Sequence, residues 1–77
     1  MQFDQHMCEE LDLILKFPMD SLMRGLKVHQ DADPALVEAA KRLFEKGIID
    51  QIDGGYLTDL GLDLAEHAQT LQSALSA

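Results

Sequence analysis

The side chains able to do chemistry in this sequence are few: three histidines, one cysteine and fourteen carboxylates. The tightest grouping is His29, Asp31 and Asp33, which could approach a metal ion. Its spacing follows no standard ligand set, and Asp33 before Pro34 already has a use as a helix cap. His6 and Cys8 stand two apart. On a helix that spacing points them in different directions, so neither a metal pair nor a thiolate–imidazole couple is expected. Glu66 and His67 are neighbours on a helical stretch and read as a solvated pair. Gly54 and Gly55 read as a turn device rather than a phosphate cradle. The sequence has no phosphate loop, nucleophile elbow or C-x-x-C. The expectation is a protein that is not an enzyme, with no cofactor and no metal.

Composition narrows the remaining classes. Seventy-seven residues, 47% hydrophobic and 26% charged, suit one folded domain over 1–77 with one modest core. A single cysteine, Cys8, allows no internal disulfide, which points to a reducing compartment. The N-terminus lacks a basic run, and Glu9, Glu10 and Asp12 interrupt any apolar segment. No stretch approaches the roughly 18 apolar residues of a membrane span, so a cytoplasmic protein is expected. The net charge of −8, from six Lys and Arg against 14 acids, is a poor match to phosphate backbones or anionic membranes. It favours protein partners, basic ones in particular. With so small a core, a second copy of the chain is a further candidate partner, giving a homodimer.

Helical spacing predicts the positioning elements. Asp4 caps a helix over about 5–16, with Phe3 placed to staple onto Cys8. Met7, Leu11, Ile14 and Leu15 form its inward stripe, Glu9, Glu10 and Asp12 lie opposite, and Leu13 and Phe17 fall off the stripe. Pro18 pushes Phe17 out of helical conformation. Asp20 then caps a short helix over about 20–26, with Met19, Leu22, Met23 and Leu26 on one face and Gly25 near its end. Lys27 to His29 read as extended or turn-like.

Asp33 and Pro34 start a third helix over about 34–46. Leu36, Val37, Ala40, Leu43 and Phe44 point inward; Glu38, Lys41, Arg42 and Glu45 point outward, pairing 38 with 42 and 41 with 45. Gly47 stops it. A hairpin over about 48–57 turns at Asp53-Gly54-Gly55. Thr58 caps a last helix over about 59–75, its stripe being Leu60, Leu64, His67 or Ala68, Leu71 and Leu75. Gly61 in its first turn implies close packing. The fold class is mostly α with a small β-hairpin, α+β.

The steps Lys46-Gly47-Ile48-Ile49 and Leu57-Thr58-x-x-Gly61 resemble the second half of a winged helix-turn-helix domain. There a recognition helix ends at such a glycine, a hairpin wing follows, and an L-T-x-x-G step opens the closing helix. The resemblance implies a winged-helix-like fold, and by analogy DNA binding. Over its whole length the chain also resembles a small family of uncharacterised proteobacterial proteins, through Gly25–His29, Asp31–Leu36 and Gly55–Gly61. That second resemblance implies a complete small protein.

The residues that would meet DNA do not suit it. The first half of the presumed recognition helix offers Asp33, Ala35, Glu38 and Ala39, and the wing offers Asp50, Gln51 and Asp53, none of them a cation. The expected function is therefore a protein-interaction or regulatory module on a winged-helix-like scaffold. Its candidate partner face is Leu13, Phe17, Met19 and Met23, with Leu62 as a further surplus apolar residue. The alternative is a DNA-binding regulator whose basic patch assembles in a dimer from Arg24, Lys27, Lys41 and Arg42.

Overall fold

The computed structural model describes residues 2–18 and 25–77. Its elements are α1 (Gln5–Lys16), β1 (Leu26–Lys27), α2 (Pro34–Glu45), β2 (Ile49–Gln51), β3 (Gly54–Leu57) and α3 (Asp59–Ser76). The protein is α+β: mostly helical, with a small antiparallel sheet in the order β1-β3-β2.

α1 begins where Asp4 accepts the Met7 N–H at 2.8 Å, satisfying one of the orphan donors of a helix start. It ends at Phe17, whose extended backbone (φ −69, ψ 137) is what the following Pro18 demands. The face it buries differs from the expected stripe. Glu10, Leu13, Ile14 and Phe17, at i, i+3, i+4 and i+7, all point into the protein. Met7, Leu11 and Leu15 lie at the edge of that face, only partly buried. Phe3 and Cys8 are both exposed.

The helix expected over 20–26 cannot extend to Leu26, which stands in β1 opposite Gly55, with Lys27 opposite Gly54. Gly25 is not helical either, and residues 19–24, with Met19, Met23 and Arg24, lie outside the described residues. After β1, Val28 is buried and donates its N–H to the Asp53 carbonyl at 2.7 Å, tying the strand to the hairpin turn.

α2 starts as expected, with Asp33 accepting the Ala35 N–H at 2.9 Å and Pro34 in the first turn. It ends in a Schellman motif. Gly47 takes φ +76, its N–H reaches the Phe44 carbonyl at 3.0 Å, and the Ile48 N–H reaches Leu43 at 2.9 Å. The buried side of α2 is Ala39, Ala40 and Leu43. Phe44, expected inside, is 42% exposed. The expected i, i+4 charge pairs are replaced. Lys41 turns to Glu38 at 3.5 Å, and Arg42 crosses to α1.

The hairpin turns at Ile52–Asp53, one step earlier than expected, so that Gly54 and Gly55 belong to β3. Both glycines hold positive φ, +127 and +76. A side chain on Gly54 would collide with the Leu26 carbonyl, so this glycine is what admits β1 alongside β3. Ile49 pairs with Leu57 and Gln51 with Gly54, leaving a bulge in which the Asp50 carboxylate accepts the Tyr56 N–H at 2.8 Å.

Thr58 joins the hairpin to α3 as expected. Its Oγ1 accepts the Gly61 N–H at 3.1 Å and donates to the Gly47 carbonyl at 2.6 Å, locking the end of α2 to the start of α3. Gly61 packs directly beneath the Ile48 carbonyl, where a Cβ would not fit. α3 buries Gly61, Ala65 and Ala68. Leu60, Leu71 and Leu75 of its expected stripe are exposed at 49%, 41% and 78%. The core gathers Leu13, Ile14 and Phe17 of α1 with Leu43, Ile49 and the alanines of α2 and α3.

Candidate functional site

Small residues on the buried sides of α2 and α3 let those helices close on α1 while leaving its outer apolar edge only partly covered. The result is an open groove of about 380 Å³ between α1 and α3. Phe3, Met7 and Leu11 form one wall, and Leu64 and Leu71 form the other. Ile14, Leu43, Ile48 and Ala68 make its floor. Phe3 is 58% exposed, a large aromatic with most of its surface in water. Contiguous exposed apolar surface of this kind marks binding surfaces more often than a scattered leucine does.

One end of the groove is polar. Glu10, from the buried face of α1, accepts from Arg42 Nε at 3.0 Å and from Lys46 Nζ, both on or just after α2. Glu9 lies 3.5 Å from the same guanidinium. Burial pushes the Glu10 carboxyl up, but hydrogen bonds from Lys46 and Arg42, with their charges, outweigh it and hold it below the ordinary glutamate range. The cluster pins α1 to the C-terminal half of α2 while leaving the groove mouth nearly neutral.

A second cleft of about 630 Å³, floored by Val28, Val37 and Ala40, lies between β1, the hairpin turn and α2. Lys27, His29 and Asp31 line it with Lys41, Ile52 and Asp53. The Lys27 ammonium bonds the Asp53 carboxylate, which holds that acid below its usual value. His29 and Asp31 are exposed, and Asp33 is engaged as a cap. Among the described residues, no group of three or more His, Cys, Asp or Glu comes together as a metal site.

The sequence-selected residues are thus scattered. Leu13 and Phe17 are 0% and 3% exposed, so they form core rather than a partner face. Leu62 is partly buried. Of the basic set, Lys27 and Lys41 line one cleft, whereas Arg42 faces α1 on another side of α2. Each is paired with a carboxylate. The groove itself escaped sequence reasoning, although its signal was present: Met7 and Leu11, and Leu71 and Leu75, are i, i+4 apolar pairs beyond what the small core needs. Among the described residues, no helix is long and apolar enough to cross a membrane.

A family model described as a family of unknown function, DUF5669, matches residues 1–76. No curated protein and no solved structure matches the chain.

Proposed function

We propose that this chain, which belongs to the family of unknown function DUF5669, works as a non-enzymatic protein-interaction module of the cytoplasm on a winged-helix-like scaffold. The observation that carries this reading is the groove between α1 and α3, where exposed Phe3 and Leu71 flank the partly covered Met7 and Leu11 in one open apolar surface. The scaffold reading rests on sequence order: α2 stopped by Gly47, the β2–β3 hairpin, and α3 opened by Thr58 and Gly61. DNA binding is disfavoured by electrostatics. Lys27, Lys41, Arg42 and Lys46 are each spent on a carboxylate, and the net charge is −8.

The test is site-specific photo-crosslinking in the cell. A photoreactive residue at position 3 or 71 is expected to give a discrete protein adduct, and one at exposed Gln51, on the hairpin, none. Absence of adducts at 3 and 71 would reject the interaction reading. Salt-sensitive binding to random duplex DNA, weakened by Lys27→Glu and Lys41→Glu, would replace it with the DNA-binding regulator.

A further inference from the structure

Resting on that reading of the groove, we infer that its occupant is a second copy of this chain, docked through the C-terminal part of α3. From Gln69 to Ala77 every residue is exposed; Leu71 still lines the groove, but the last turn of α3, which carries Leu75, is barely covered by its own chain. A helix end this short draws little stability from propensity alone, and helices in proteins are held mainly by an apolar face against a neighbour. The face is present. Leu71 lines the groove, and Leu75, one turn further at about 6 Å along the axis, continues the same stripe at 78% exposure.

Knob and groove therefore share one side of the molecule. That placement is the requirement for an isologous pair, in which each copy gives the other what it receives. With the two α3 helices antiparallel, Leu75 of each copy enters the groove of the other beside Phe3 and Leu71. The contact closes on itself, as a dimer rather than a filament.

Charge selects this occupant over a basic peptide. Two chains of net charge −8 repel over most of their surface, but the segment from Ala68 to Ala77 carries no charged residue. At the groove mouth Glu10 is neutralised by Arg42 and Lys46. A basic partner gains nothing from so neutral a surface, whereas an acidic copy meets little repulsion there. The size suffices for a modest association. A strip two helices wide and about 18 Å long, from Leu64 to Leu75, covers roughly 350 Å² per copy, so the pair buries roughly 700 Å², the scale of a weak, reversible contact.

Sedimentation equilibrium of the full chain, over concentrations up to about 1 mM, tests this. The expected result is a reversible dimer of twice 8.6 kDa. Added salt should strengthen it, because salt screens the repulsion between the acidic copies. Leu75→Glu and Leu71→Glu should each weaken it at least tenfold with an unchanged helical circular dichroism spectrum, while Leu60→Glu, at the far end of α3, should not. A monomer throughout the range, or a dimer indifferent to both substitutions, overturns the inference. The crosslinks at positions 3 and 71 separate the two levels. An adduct with a different polypeptide on a monomeric chain rejects self-pairing and leaves the interaction reading intact. No adduct at all rejects both.

Discussion

Replacing Glu10 with glutamine removes one charge and changes almost nothing else in volume. The carboxylate holds the side of α1 to α2 through Arg42 Nε at 3.0 Å and through Lys46. Hydrogen bonds to charged groups are each worth roughly 1.5–3 kcal/mol. The Lys46 side chain is 52% exposed, so water screens its share to about 1 kcal/mol or less. Arg42 is only 23% exposed, and one of its terminal nitrogens is already buried without a hydrogen-bond partner, so it loses more. Relief of the desolvated carboxylate offsets part of the loss, and the amide retains one acceptor. The net expected cost is about 2 kcal/mol at neutral pH, or roughly 8–16 °C in melting temperature for a domain of this size.

The pH dependence distinguishes this cause from simple mispacking. Glu10 is depressed in the folded state, so its contribution is fully present above the ordinary glutamate value and disappears as pH falls through the lower, folded one. Thermal melts by circular dichroism, run from about pH 7 down to about pH 2, should show wild type and Glu10→Gln converging at the acid end. Equal melting temperatures at neutral pH would refute the electrostatic account. So would a gap that persists unchanged once the wild-type Glu10 carboxyl is protonated.

Three further outcomes are expected from urea denaturation. Gly61→Ala places a Cβ against the Ile48 carbonyl and should cost about 1–3 kcal/mol, whereas Gly47→Ala meets nothing within 4 Å and should cost only the left-handed backbone penalty, roughly 1 kcal/mol. Thr58→Ala removes both the α3 cap and the bond to Gly47, costing about 1–2 kcal/mol, and Thr58→Ser should restore most of it. Leu13→Ala should cost about 2–5 kcal/mol as a core deletion, while Phe44→Ser, at a half-exposed position, should cost only about 1 kcal/mol. Were Leu13 instead part of a partner face, the order of those two costs would collapse.

Ends of elements were legible from local chemistry, because caps and stops act over three or four residues. Asp4, Asp33 and Thr58 cap the helices they were expected to cap, and Pro18 and Gly47 end theirs. Faces were less legible. In each helix the buried side is rotated from the richest apolar stripe toward smaller or polar residues: Glu10 on α1, Ala39 on α2, Ala65 on α3. Hydrophobic spacing reports how much a helix can bury, but the distance between helix axes decides which residues fit, and close axes select alanine and glycine. The same rotation leaves Phe3, Met7 and Leu71 to line the groove.

Strand β1 needed tertiary structure for a similar reason. Two residues, Leu26 and Lys27, carry no readable alternation, and their pairing exists only because Gly54 leaves room on β3 for another backbone, while Gly55 makes room for Asp50 and Gln51 of β2. In the sequence those glycines resemble a turn. Ion pairs followed the same rule: Glu38, Lys41 and Arg42 suggested contacts along one helix, yet Arg42 found Glu10 thirty-two positions away. The sequence alone determined the acidic character and three of the helices with their starts. Those properties reside in composition and in short-range stereochemistry. Only the tertiary structure decided which apolar residues became core and which formed an open groove, because burial is settled between elements rather than within them.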